Sequence, residues 1–264
     1  EIFDYIESEL KEVENILPAP KAAPYGRADR ALVWSILAKL YLNAEVYTAQ
    51  ARYREAMTYI NKVIDSDAYG LNDTYWHLFA ADNHTSPEII FSINYDGENT
   101  RTWGGTTFLV RAAIVGSIME GIDYGVESGW NGLRTTPELV NRFPDVTGDI
   151  DARARFFTEG QNLNVGSISR SADGYALPKF VNITSDSALG STQIHPDTDF
   201  PMFRLGDFYL MYAEAHLRGG GGDPVAALNF VNALRERAYG DPSGNISQDD
   251  LTLDFFLDER SREL

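Results

Sequence analysis

The stretches "GRADRALVWSILAKLYLNAEV", residues 26–46, and "ARYREAMTYINKVIDSDAYGL", residues 51–71, decide the fold. Asp29 stands just ahead of an apolar run, where its carboxylate can accept from the free amides that open a helix. Trp34, Leu37, Ala38 and Tyr41 then recur at offsets of three, four and seven, which is one face of an α-helix. In the second stretch Ala56, Ile60 and Val63 do the same at offsets of four and seven. The small Ala38 and Ala56 let the two backbones approach closely, and Trp34, lying on the apolar face, is expected in the core.

The pattern returns at "FRLGDFYLMYAEAHLRGGGGDPVAALNFVNALRERAYG", residues 203–240. Tyr209, Tyr212, Ala213 and His216 parallel the first helix of the earlier pair, and Ala227, Val231 and Leu234 parallel the second. Gly219 to Gly222 stop one helix, and Asp223 as cap with Pro224 at the first helical position starts the next. Large and small residues alternating over two helices are the tetratricopeptide pattern. The first pair is longer than the standard repeat, and the excess is placed in a loop at residues 44–51. Such pairs are stable when stacked on neighbours, so the two are expected to form one scaffold.

Between them, residues 70–200 lose the helical period. "PEIIFSINYDG", residues 87–97, predicts a short strand, "TPELVNRF", residues 136–143, and "DIDARARFF", residues 149–157, predict short helices, and Gly, Asn, Thr and Ser clusters fill the rest. Irregular connections of this length in a compact domain usually carry function. The expected fold is therefore mainly α: tetratricopeptide-like helix pairs as a scaffold carrying a large loop-rich region with short helices and minor strands. A single domain over 1–264 is expected, with a helical scaffold at 1–69, a loop-rich ligand-binding region at 70–200, and the second pair with the start of a C-terminal helix at 201–264. Helical patterns already running at "EIFDYIESELKEVE", residues 1–14, and still running at "LDFFLDERSREL", residues 253–264, suggest a piece of a longer protein. The latter reads as a solvated helix face laced by pairs such as Asp258–Arg262.

Composition narrows the function. A net charge of −17 makes phosphate backbones repulsive and sets nucleic acids aside, while neutral sugars carry no such penalty. With no cysteine there is no thiol nucleophile, thiolate metal site or disulfide framework. No stretch of apolar residues is long enough to span a membrane.

Two of the four tryptophans stand apart. Trp103 in "TWGGT" and Trp130 in "SGWNG" lie in polar surroundings where no period calls for an apolar side chain. Either they plug the loops onto the scaffold, or their flat faces are platforms on which sugar rings stack, with the flanking glycines letting a ligand come close. The other motifs are weaker. Gly219–Gly222 lacks the Lys-Ser/Thr of a phosphate loop and reads as a helix–helix turn. His195, Asp197 and Asp199 in "HPDTDFP" are donors a loop-held calcium ion could use, and capped turns account for the same residues. No cofactor is expected. His77, His84 and His216 are scattered, and neither His-Glu-x-x-His nor Gly-x-Ser-x-Gly occurs.

Several segments together resemble the SusD/RagB family of outer-membrane nutrient-binding lipoproteins. They are "GRADRALVWSILAKLYLNA", "YREAMTYINKVI", "PEIIFSINYDG", "PDTDFPMFRLGDFYLMYAEAHLRGGG", "ALNFVNALRERA" and "FLDERSREL", which cover most of the chain in the family's order. "TRTWGGTTFLV" and "SGW" resemble the ligand-stacking segments of the family's starch-binding branch, with Trp103 where tyrosine is typical. The resemblance implies a non-catalytic receptor that captures starch or malto-oligosaccharides with Trp103 and Trp130. It also implies delivery to a SusC-like TonB-dependent transporter and attachment to the outer membrane through an N-terminal lipid anchor absent from this chain, along with further sugar contacts in that N-terminal part. Two other readings stay open from the residues alone: a peptide-binding helical scaffold, and a glycoside hydrolase whose carboxylate pair is not recognisable.

Overall fold

The computed structural model describes residues 2–264. Helices α1 (Ile2–Val13), α2 (Arg30–Leu42), α3 (Ala44–Thr48) and α4 (Tyr53–Ile64) lead to strand β1 (Ile89–Ile93). Helices α5 (Gly105–Ala112) and α6 (Pro137–Val140), strand β2 (Phe200–Arg204), and helices α7 (Leu205–Leu217), α8 (Pro224–Tyr239) and α9 (Leu253–Glu263) follow.

Helix α2 packs on α4, α4 on α7, and α7 on α8, so the two expected pairs form one stack, with α1 against α2 and α9 against α7. Ala38, Ala56, Ala213 and Ala227 are fully buried, which is why the backbones come together there. Leu37, Tyr41, Ile60, Val63, Val231 and Leu234 fill the core between them. Asp29 accepts from the Leu32 amide and Asp223 from the Val225 amide, each capping its helix as its position predicts. Strand β1 pairs antiparallel with β2, Ile89 opposite Arg204 and Ile93 opposite Phe200, and the chain passes from β2 directly into α7. Among the described residues no helix is long and apolar enough to cross a membrane.

Trp34 is half-buried rather than fully in the core: its ring edges the scaffold while Nε1 donates to Glu14 Oε1 at 2.8 Å, which pins α1 across α2. The expected loop at 44–51 contains the short α3. Residues 149–157 form no helix, because Asp145 gathers the amides of Thr147, Gly148, Asp149 and Asp151 and holds the chain in a turn. Most of 141–199 is likewise irregular and tied by side chains. Buried Asn182, for example, donates to the carbonyls of Gly125 and Thr192 and accepts from the Asp197 amide, joining three loops.

The largest departure from expectation is α9. Glu259 and Glu263 are fully buried, not solvated. Arg153 donates to Glu259 at 2.7 Å and to Glu263 at 3.0 Å, and Arg235 and Arg262 also reach Glu259. Arg204 and Arg237 bridge Glu263 and Glu88, while Asp151 completes the shell of Arg153. Asp258 pairs with Arg142 instead of Arg262. A cluster of this kind is tolerated only because each charge meets opposite charges at hydrogen-bond distance.

Candidate functional site

Helix α5, in a stretch expected to be loop, begins two residues after Trp103, with Gly104 as its N-cap. At its other end the last carbonyls would be left open. The segment carrying Trp130 closes them: the Trp130 amide donates to Arg111 O at 2.8 Å, and those of Gly132 and Leu133 donate to Ala112 O. One short helix thus fixes both tryptophans, the first at its start and the second at its end.

The indoles meet, with ring centroids 6.1 Å apart and planes inclined by 41°. Trp103 is 60% exposed and Trp130 36%. Phe108, on α5 and 43% exposed, lies 6.5 Å from Trp130, and the His195 ring lies 4.6 Å from Trp103. Together they make a bent aromatic platform open to solvent. In the plug reading both indoles would be covered; Trp103 is open, while Trp130 keeps about a third of its surface open.

Buried Arg111 braces the platform from below. Its guanidinium lies 5.6 Å from the Trp130 ring centre and donates to the carbonyls of Ile194, Ser128 and Gln193 and to Glu127 Oε1. It therefore ties α5 to both the Trp130 loop and the His195 loop. Arg111 and Phe108 sit in no motif that marks them in the sequence. An arginine inside "FLVRAAIV" is the available signal, since a charge in an apolar run needs several buried acceptors.

The glycines act differently from the expectation that they clear room for a ligand. Gly105 has φ +55°, and a Cβ there would run into the Tyr95 hydroxyl; one at Gly129 would run into the Ile114 carbonyl. Both are glycine because neighbouring atoms of the chain itself, the Tyr95 ring and the Ile114 backbone, leave no room for a side chain. Of the glycines in the two motifs, only Gly104 has room for a Cβ, whose nearest neighbour would be Thr102 Oγ1 at 3.9 Å.

Of the calcium candidates, His195 stacks beside Trp103, Asp197 accepts from the Gly97 and Ser191 amides, and buried Asp199 accepts from the Tyr95 amide and the Tyr25 hydroxyl. The structure does not bring the three together, and among the described residues no three His, Asp or Glu side chains form a cation site. Burial raises the Asp199 carboxyl above its usual range, against the lowering effect of the Tyr25 hydrogen bond.

The SusD family profile matches residues 155–264. The starch-binding protein SusD of Bacteroides thetaiotaomicron is 34% identical over an alignment spanning 90% of this chain and 50% of SusD. The chain belongs to the SusD family. It spans about half the length of that curated relative. Surface glycan-binding protein A of B. thetaiotaomicron superposes on 99% of this SusD-family chain with a TM-score of 0.74 at 24% identity, covering 57% of its own length. The same protein in complex with laminarihexaose superposes equally well, at 23% identity and over 58% of its length. A SusD-superfamily protein of Parabacteroides distasonis gives 0.70 at 24% identity over 96% of this chain and 53% of its own. These structures share the helical fold described above.

Proposed function

We propose that this SusD-family chain belongs to a non-catalytic cell-surface glycan receptor that captures an α-glucan on the Trp103–Trp130 platform. It passes the sugar to a SusC-like TonB-dependent transporter. A lipid anchor outside residues 1–264 holds it on the outer face of the outer membrane, and residues 70–200 supply the ligand-binding region of one domain whose scaffold is 1–69 and 201–264.

The observation that carries this reading is the pair of exposed indoles inclined by 41°. Sugar rings present an apolar C–H face that stacks on an indole. Because the two faces are not coplanar, a chain resting on both must turn between rings, as helical glucans do and flat β-1,4 ribbons do not. The curated relative is named for starch, a helical glucan, which supports the α-linkage. Each stacked ring is worth about 1 kcal/mol and each net hydrogen bond about the same, so binding of roughly −4 to −6 kcal/mol, millimolar to tens of micromolar, is expected. Such a receptor releases its cargo easily and gains retention on polymers through multivalency.

Calorimetric titration of the intact natural protein with maltoheptaose, laminarihexaose and cellohexaose tests this. Maltoheptaose is expected to bind most tightly and to be recovered uncut. Tightest binding of laminarihexaose or cellohexaose, or shortened products, would reject the reading.

A further inference from the structure

A second cavity, of about 450 Å³, lies where residues 18–29 close over β1 and the turn at 83–85, and no platform residue lines it. Its volume is that of a small-molecule site.

Its lining carries two cations and one anion, the cations both exposed. Lys21 and Arg27 both line it. Lys21 Nζ reaches only the Pro87 carbonyl at 3.3 Å and the face of Tyr69, 4.9 Å from the ring centre. The Arg27 guanidinium has no hydrogen bond or ion pair among the described residues. The arginines at the core and platform, Arg111, Arg153, Arg204, Arg235 and Arg237, each engage a carboxylate, whereas among the described residues Arg27, like the exposed Arg54 and Arg101, does not. One carboxylate also lines the cavity. Asp29 accepts from the amides of Lys21 and Leu32, so its oxygens are committed, and two cations still face one anion.

The same lining holds a hydroxyl with nothing to bond. Tyr69 Oη is buried without a hydrogen-bond partner, a costly state for a polar group. Tyr25, by contrast, is 55% exposed yet fixed, its hydroxyl bonded to Ser92 Oγ at 2.9 Å and to Asp199, and its ring edge-on to His84 at 6.1 Å. Lys21 itself has φ +58°, a left-handed conformation rare for lysine, held by the Asp29 bond to its amide.

We propose that this cavity is a second ligand site, distinct from the glucan platform, that takes a saccharide unit bearing a carboxylate. Lys21 and Arg27 hold the carboxylate, Tyr25 stacks on the sugar face, and the Tyr69 hydroxyl bonds a neighbouring sugar hydroxyl. Charge-assisted bonds of this type are the strong ones, and near a surface they weaken with salt.

Calorimetry of the intact protein at low ionic strength tests it, with D-glucuronate, D-glucose and D-glucose 6-phosphate titrated separately and maltoheptaose as a control on every sample. Glucuronate is expected to bind, to weaken as salt is added, and to exceed glucose. Arg27→Gln and Lys21→Gln should each weaken it by about tenfold. Arg27 makes no side-chain hydrogen bond or ion pair that the fold depends on, so its variant should melt with the parent. Tyr69→Phe should weaken it less, and Trp103→Ala should leave glucuronate binding unchanged while losing maltoheptaose. Glucuronate binding no better than glucose, equal binding by both glutamine variants, or loss in Trp103→Ala would overturn the proposal. Tighter binding of glucose 6-phosphate would overturn the carboxylate assignment. Because maltoheptaose is measured alongside, failure here is separable from failure of the platform.

Discussion

Gly104 and Gly105 are adjacent and identical in type, yet they meet different constraints. Gly104 caps α5 in an extended conformation, and a methyl group there would meet only the Thr102 hydroxyl at 3.9 Å. Gly105 needs a positive φ and has Tyr95 against it. Gly105→Ala should therefore destabilise the protein by about 1–3 kcal/mol and tilt Trp103 away from Trp130, whereas Gly104→Ala should cost no more than about 1 kcal/mol. Urea denaturation of the two variants, with starch retention measured in parallel, checks this. Equal effects would mean that the Tyr95 contact is not what fixes the first indole. The sequence "TWGGT" announces an unusual tryptophan, but nothing in it says which glycine is spent on backbone packing, because the obstructing ring comes from Tyr95 in another segment.

At the scale of elements, α5 and α9 are each organised by buried charge. Removing the Arg111 guanidinium would leave the carbonyls of Ile194, Ser128 and Gln193 without their donor and release two loops from α5. Arg111→Met should cost about 3 kcal/mol and abolish glycan retention even though the tryptophans remain. Thermal melting together with affinity electrophoresis would show it, and full retention would rule out the brace. In α9, Glu263→Gln leaves Arg204, Arg237 and Arg153 facing a neutral group, and about 3–5 kcal/mol of stability should be lost. Denaturation midpoints read this directly. An unaffected midpoint would mean that the cluster is not cooperative. From sequence alone α9 looked like an exposed face because its acidic and basic residues alternate at helical spacing. The arginines that bury it sit far away, at Arg153, Arg204, Arg235 and Arg237, and their convergence is a property of tertiary structure.

Across the whole molecule, the scaffold was legible because it rests on periodicity: the Asp29 and Asp223 caps, the small residues Ala38, Ala56, Ala213 and Ala227 on the apolar faces, and the glycine stop at 219–222 are all local signals. The stretch from 141 to 199 was not legible, since it is held by single side chains such as Asn182 and Asp145 bonding distant or turn amides, which leave no period. The platform was half legible: Trp103 and Trp130 stood out by being apolar in polar loops, Phe108 did not, and His195 stood out only as a cation donor, not as a ring beside Trp103. Acid should act on the molecule from both ends. Burial alone would raise Glu7, but Arg52, Lys11 and Tyr41 outweigh it and hold the carboxyl at about 2; burial is likewise outweighed at Glu263 by Arg237, Arg204 and Arg153, again at about 2. Both lie below the ordinary glutamate value of 4.5, so the folded state binds these protons less readily than the unfolded chain. Their stabilisation is complete above 4.5 and is lost as pH falls from there toward about 2. Circular dichroism against pH should show unfolding in that window, and a helical signal flat down to pH 2 would contradict it.

The central claim is that two exposed indoles, fixed at the two ends of α5, hold the glycan. Affinity electrophoresis in starch-containing gels, run on the intact protein and on Trp103→Ala and Trp130→Ala with melting temperatures recorded, is its most direct measurement. Retention of the parent, with loss in each variant at an unchanged melting temperature, is the predicted result. Parent-like retention in either variant, or loss only together with unfolding, would contradict it.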